Sequence, residues 1–176
     1  MPTVFSHAIA GAALGALFRL PARSPRLWLA AALCAVLPDA DVIGLAFGVP
    51  WGHPLGHRGI SHSLAFAAVL AALVVVLGFR GPQWKRRRGA LWLLLFLATA
   101  SHGVLDAMTN GGSGIAFFAP FDDTRYFFPW RPIPVSPIGL ERFLSDRGLR
   151  VLEGEILWVW LPAALLAGIA TLVRRR

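Results

Sequence analysis

The sequence is poor in cysteine and in charge. Cys34 is the one cysteine among 176 residues, so no intramolecular disulfide can staple the fold and no set of thiolates can knot a structural zinc. Cys34 lies inside an apolar run, where a free thiol serves as a small core side chain. Charged residues make up only 15% of the chain against 56% hydrophobic, with a mean hydropathy of +0.62. These values fall outside the range of a soluble domain. The start of the chain, MPTVFSHAIAGAALGALF, has no basic leader and places His7 where the apolar core of a cleaved signal would begin, so the first apolar segment is expected to stay in the mature protein. There is no internal repeat and no low-complexity tract.

The chain has apolar segments in place of charge. They run over about 4–18, 27–37, 64–79, 90–108 and 156–173, against the ~20 residues that cross a bilayer. The last three are long enough to span. The first two are short and are expected to be tilted or sheltered inside a bundle. The expectation is an all-α integral membrane bundle of four to five hydrophobic helices, forming one domain over 1–176. The site-bearing part is 1–130, an interfacial loop and short helix follow over 131–155, and the last transmembrane helix is 156–173. Gly11 and Gly15 make a GxxxG on the side of the first helix that carries His7, allowing close helix approach. TNGGSGIAFFAPFDDTRYFFPWRPIPVSP is rich in glycine, proline and aromatics and suits the headgroup layer, as do the seven tryptophans. Ser136 and Pro137 read as the N-cap and first turn of a short helix through about Arg147. Asp122 and Asp123 read as a solvated turn, and Glu153 and Glu155 as outer-face charges before the last span. His53, on a loop, is left out of the candidate site.

The net charge of +8 is concentrated in Arg19, Arg23 and Arg26, in Arg80 and Lys85 to Arg88, and in Arg174 to Arg176. These clusters stand at the ends of apolar segments, as the positive-inside bias and attraction to anionic headgroups require. No aromatic-plus-basic groove accompanies them, which excludes nucleic acid as a partner and leaves membrane lipids. Placing each cluster in the cytoplasm gives five crossings, with the N-terminus outside. His7, Asp39, Asp41, His57, His62, His102 and Asp106 then all fall at the non-cytoplasmic end. Ionisable groups in membrane segments cost about 2.5–3.5 kcal/mol at the helix centre and are functional candidates by default.

Within SHGVLDAM, His102 and Asp106 are four apart and leave one helix face together. In LPDAD, Pro38 ends a helix, and in an extended turn Asp39 and Asp41 would point the same way. His57 and His62, in HRGISHS, straddle a helix start. Imidazoles with carboxylates and no thiolate suit zinc, manganese or iron. Four histidines and three aspartates exceed one tetrahedral ion, whereas two ions about 3.5–4 Å apart would use them and would suit phosphoester hydrolysis by a metal-activated water. Asp39 or Asp41 would ligate metal or accept a proton. Arg58 suits a phosphate oxygen and equally an interfacial anchor. Two other readings use the same residues: a non-catalytic metal-stabilised scaffold, and a small transporter or proton relay. Transport would place the polar groups nearer the bilayer midplane.

In order, SHAIAG, LPDAD, HRGISHS and SHGVLDAMTNGG, separated by hydrophobic helices, resemble the YdjM-like family of bacterial inner-membrane proteins, described as membrane-bound metal-dependent hydrolases. The resemblance covers residues 5 to about 130, including FFAPF and the aromatic-proline stretch. It implies a multi-pass protein of the bacterial inner membrane holding one or two divalent ions, zinc foremost, with a phosphoester or lipid-like substrate. That family in turn resembles the zinc-dependent phospholipase C and P1 nuclease group, all-helical phosphodiesterases with clustered zinc. The group's early His, its Asp, its next His and its His-x-x-x-Asp match His7, Asp39 or Asp41, His57 or His62, and His102 with Asp106. By this resemblance Asp106 is the bridging ligand. The group's further downstream histidines have no counterpart, since no histidine follows His102. A third metal is not expected, and the group's substrates do not carry over directly.

Overall fold

Hydrocarbon offers the backbone no hydrogen bonds, so apolar segments immersed in it must satisfy their own amides and carbonyls as helices. The computed structural model describes residues 1–18, 20, 24–137 and 140–175; Arg19, Arg23 and Arg176 of the basic clusters lie outside them. The helices are α1 (Val4–Gly15), α2 (Pro25–Val36), α3 (Ile43–Ala46), α4 (Leu64–Gly78), α5 (Pro82–Lys85), α6 (Arg88–Ala107), α7 (Leu140–Phe143), α8 (Asp146–Glu155) and α9 (Leu161–Arg175). Tight 3-10 turns cover Leu37–Val42 and Ile60–His62, and a π turn, Ile156–Trp160, joins α8 to α9. Among the described residues there is no β-strand; two isolated bridges, Thr109 with Ile133 and Ile115 with Tyr126, tie down the long loop after α6.

Three helical stretches are long and apolar enough to cross a membrane: Pro25–Ala46, Arg88–Ala107 and Asp146–Val173. α1 and α4 are apolar but shorter, at 12 and 15 residues, or about 18 and 22 Å at 1.5 Å per residue. Two expectations about span length shift. The segment read as 27–37 continues through the 3-10 turn at Pro38, which tightens the helix rather than ending it, and reaches Ala46. The segment read as 64–79 is the shorter one, because the residues before Leu64 form the turn that holds His62.

Leu27, Ala31 and Cys34 of α2, Ala71 and Val75 of α4, and Leu91, Leu94, Leu95 and Ala98 of α6 form the core. Leu29, Leu33, Val69, Leu73, Leu161, Leu165 and Ile169 face outward, an apolar exterior suited to lipid. α1 packs on α2, α6 and α9, and α4 packs on α6. The GxxxG works as expected: a Cβ at Gly11 would stand 2.5 Å from Ala35 Cβ, and one at Gly15 would stand 3.0 Å from the Trp28 ring. Not every tryptophan is an anchor, since Trp84 is buried edge-on against Phe79 and Trp92 donates to the Ala68 carbonyl at 3.1 Å.

The short helix expected from Ser136 through Arg147 is not one element. Ser136 lies outside any helix, its amide donating to the Met1 carbonyl at 3.0 Å. Ile138 and Gly139 lie outside the described residues. Ser145 stands between α7 and α8 as the N-cap residue of α8. The helical stretch that carries the apolar run 156–173 therefore begins at Asp146.

Replacing Gly11 with leucine is expected to lower the melting temperature of the detergent-solubilised protein through overpacking worth about 1–3 kcal/mol. Gly168→Leu, at a site where an added Cβ meets nothing within 4 Å among the described residues, is expected to leave it unchanged. Parallel thermal melts check the pair.

Candidate metal centre

Each ligand-type side chain reaches the interior for a local reason. On α6 the four-residue spacing sends His102 and Asp106 inward together, and both are completely buried. Asp39 and Asp41 do not sit in an extended turn as their spacing suggested. They lie in the 3-10 turn Leu37–Val42, where three residues per turn separate positions two apart by about 120°. One carboxyl therefore turns toward His102 and the other toward His57. His62 closes the turn before α4, whose first amides are capped by Ser63: Phe66 N donates to Ser63 Oγ at 3.1 Å. His7, on the first turns of α1, stacks on His102 with ring centroids 3.7 Å apart.

The seven candidates meet in one cluster. Asp39, His62, His102 and Asp106 each offer a ligand atom within 4.8 Å of the others, and Asp41, His57 and His62 form a second such group that shares His62. The His102 and His62 Nε2 atoms are 3.1 Å apart, and Asp39 Oδ1 lies 3.2 Å from the first and 3.6 Å from the second. Asp106 Oδ2 is 3.7 Å from His62 Nε2, and Asp106 Oδ1 is 3.5 Å from His7 Nε2. In the second group His57 Nδ1 is 2.8 Å from Asp41 Oδ1, and His62 Nδ1 is 3.2 Å from Asp41 Oδ2. Ligand atoms of a tetrahedral ion with bonds of 2.0–2.1 Å stand about 3.3–3.4 Å apart, which is the scale of the first group.

Two further observations test the fit to a cation. His102 Nδ1 lies 2.7 Å from the Ala35 carbonyl, an acceptor, so this partner assigns the proton to Nδ1 and the lone pair to Nε2, facing His62. In addition, both oxygens of Asp39, both oxygens of Asp106 and both ring nitrogens of His7 are buried and, among the described residues, are met at most by ion-pair approaches, the nearest being Arg58 Nε to Asp106 Oδ2 at 3.1 Å and His102 Nε2 to Asp39 Oδ1 at 3.2 Å. Buried polar atoms are rarely left so, and six concentrated in one place call for a bound positive group. Burial disfavours the His62 imidazolium, yet the Asp39 and Asp41 carboxylates beside it outweigh burial and push the ring up to about 9, so an ion held by His62 would take the place of that proton. The residues fit a divalent ion.

The surrounding shell is also ordered. Arg58 is 1% exposed and holds a left-handed backbone at φ 67°, a conformation that costs about 1–3 kcal/mol outside glycine. Its guanidinium donates to the Gly111 carbonyl at 3.0 Å and to Thr109 Oγ1 at 3.1 Å, and its Nε stands 3.1 Å from Asp106 Oδ2. Gly112 beside it holds φ 99°, which favours glycine, and a Cβ there would fall 2.2 Å from Arg58 Nη1. Arg58 also lines a half-open cavity of about 150 Å³ with Met1, Trp51, His57, Ser113 and Ser136. His53 stays outside the cluster, exposed, its Nδ1 accepting from Leu55 N. Asp122 forms the exposed turn expected, accepting from Thr124 N at 2.8 Å.

Sequence reasoning missed several participants. Ser61 Oγ donates to Asp41 Oδ2 at 2.5 Å and lies 2.9 Å from His62 Nδ1; its place inside HRGISHS was the available signal. Thr109 and Gly112 lie within the quoted TNGG and were read as loop. Arg125 donates to the His57 carbonyl and to Ser113 Oγ, both at 3.2 Å, and nothing in its aromatic surroundings marked it. Glu155, expected on the outer face, is completely buried. Its oxygens accept from the first residues of α1.

The comparisons with known proteins agree in one direction. The chain is 42% identical over 177 residues to the inner membrane protein YbcI of Escherichia coli (strain K12), an alignment covering 99% of this chain and 100% of that protein. No solved structure matches. The family described as YdjM inner membrane protein matches residues 1–176, and the chain belongs to that family of inner membrane proteins.

Proposed function

We propose that the protein is a membrane-bound metal-dependent hydrolase acting on a phosphoester or lipid-like substrate. The observation that carries this reading is the convergence of Asp39, His62, His102 and Asp106, with their carboxyl oxygens buried and turned to one point, beside a cavity lined by His57 and Arg58. The distant likeness to zinc-dependent phospholipase C and P1 nuclease belongs to the same proposal. So does the placement of the centre away from the cytoplasm, which the basic clusters support.

Asp39, His62, His102 and Asp106 would hold the first ion, with His7 against Asp106, and Asp41, His57 and His62 would hold a second. A divalent ion, zinc foremost, supplies a water acidic enough to attack at neutral pH and a Lewis acid for an ester oxygen. The chain's own residues do the rest. Ala35 fixes the His102 tautomer, Arg58 and Thr109 orient Asp106, and Ser61 orients Asp41. With a single ion bound, Asp41, bonded to His57 at the cavity side, would be free to accept the proton released during attack. The cavity admits a polar ester group, while apolar chains of an amphiphile stay against the helix exteriors. The Arg58 guanidinium and nearby Arg125 make its wall cationic and favour an anionic group.

Elemental analysis of the purified protein is expected to find about one or two equivalents of zinc, manganese or iron, the loading of a one- or two-ion centre, and a folded His102→Ala, Asp106→Ala variant is expected to lose them. The loaded protein is then expected to turn over a member of a phospholipid and phosphodiester panel, and the double variant to be inactive. Parent protein that is metal-free and cannot be reloaded would overturn the reading, and metal without turnover across the panel would favour the scaffold. Arg58→Lys keeps the charge but loses the planar fork, so metal affinity is expected to fall about 10- to 100-fold, as competition with a chromogenic chelator would show.

A further inference from the structure

We propose that Glu155, at the start of the last span, is a positioning residue that holds His7 in the metal centre, an inference that rests on the metal-binding reading above. Glu155 is completely buried, where a carboxyl must be hydrogen-bonded to be tolerated. Its Oε1 accepts from Thr3 N at 2.5 Å, and its Oε2 accepts from Thr3 Oγ1 and, at 2.6 Å, from Ser6 Oγ. Thr3 is the N-cap residue of α1, but its own side chain does not cap the helix. A carboxyl from a distant helix occupies that end instead, where the α1 dipole favours negative charge.

His7 needs such an anchor. Among the described residues its ring nitrogens make no approach closer than that of Nε2 to Asp106 Oδ1 at 3.5 Å, so its place is set largely by stacking on His102 and by where the backbone of α1 begins. That backbone is tied to the anchor: His7 N donates to the Thr3 carbonyl at 3.3 Å, and Ser6 is its chain neighbour.

The π turn explains how the last helix reaches this point twice. In an α-helix, residues five apart are rotated about 140° past a full turn. The wider i→i+5 pattern over Ile156–Trp160 brings Glu155 and Trp160 to one side, and Trp160 Nε1 donates to Ser6 Oγ at 2.7 Å. π turns inside α-helices are frequent at functional sites. On the other flank, Gly154 lets the helix approach residue 134: a Cβ there would stand 2.4 Å from Pro134 Cδ. From that segment, Ser136 N donates to the Met1 carbonyl at 3.0 Å. The first residues of α1 are therefore clasped between the last span and the loop before it.

The test uses the full chain in detergent with Glu155→Ala, Glu155→Gln and Ser6→Ala. One readout is specific to His7 and a second reports on the whole centre. Modification of each histidine by diethyl pyrocarbonate is mapped by mass spectrometry on metal-free protein, and the visible spectrum is recorded after loading with Co(II) alone. Glu155→Ala is expected to raise His7 modification about tenfold through local opening, with His62 unchanged, and to alter the Co(II) spectrum. Glu155→Gln, which keeps an acceptor, is expected to restore most of the parent pattern. Ser6→Ala, the mildest change, is expected to raise His7 modification by a smaller factor and decides the matter should Glu155→Ala fail to fold. His7 as protected in the folded variants as in the parent, with an identical Co(II) spectrum, would overturn the proposal. A parent that takes up no Co(II) would sink the metal reading, and His7 modification would then judge the clasp alone.

Discussion

The structure depends on how a lipid-facing bundle accommodates buried carboxyl and imidazole groups that meet one another more than they meet hydrogen-bond donors of their own. A buried polar atom left unpaired costs about 1–3 kcal/mol, and more if charged, and among the described residues Asp39, Asp106 and His7 present six buried atoms in one place answered at most by ion-pair approaches. Scattered over separate helices, these groups would each oppose insertion. Gathered around a common point they become mutually compatible, provided a cation joins them. The cluster is thus both a burden on the bundle and the reason for its arrangement.

The packing follows from that requirement. Small residues bring α1 onto α2, so that His7 on one and the Asp39 turn after the other reach the same space. α6, the central span, carries His102 and Asp106 into it, while the polar turn before α4 brings His57, Arg58 and His62 from the end of the bundle. Even the surrounding strain is local: Arg58 holds a left-handed backbone, and Gly112 gives up its side chain for the guanidinium. The apolar exterior needs only to suit hydrocarbon, and exposed leucines and valines do so without specific partners.

Much of this was legible from the chain. The metal-ligand types stood in short motifs at the ends of apolar runs, and the basic clusters placed those ends on one side, so all seven residues could be named and are found together. Backbone detail was less legible. Whether LPDAD is extended or a 3-10 turn decides which way each carboxyl points, and no periodicity is readable over so few residues. The length of the second span was missed for the same reason, because a 3-10 turn continues it past Pro38. Glu155 was misread because its neighbour Glu153 is exposed and two acids before a span look like a surface pair. Its partners, Thr3 and Ser6, lie at the opposite end of the sequence. Only the fold brings such groups together.

The central claim is that these side chains form a metal centre built from nitrogen and oxygen donors alone. X-ray absorption at the zinc edge of zinc-loaded protein tests it most directly. The account predicts a first shell of nitrogen and oxygen at about 2.0–2.2 Å with imidazole scattering from at least two histidines. A sulfur shell near about 2.3 Å, a shell of water oxygens without imidazole, or no retained zinc at all would contradict it.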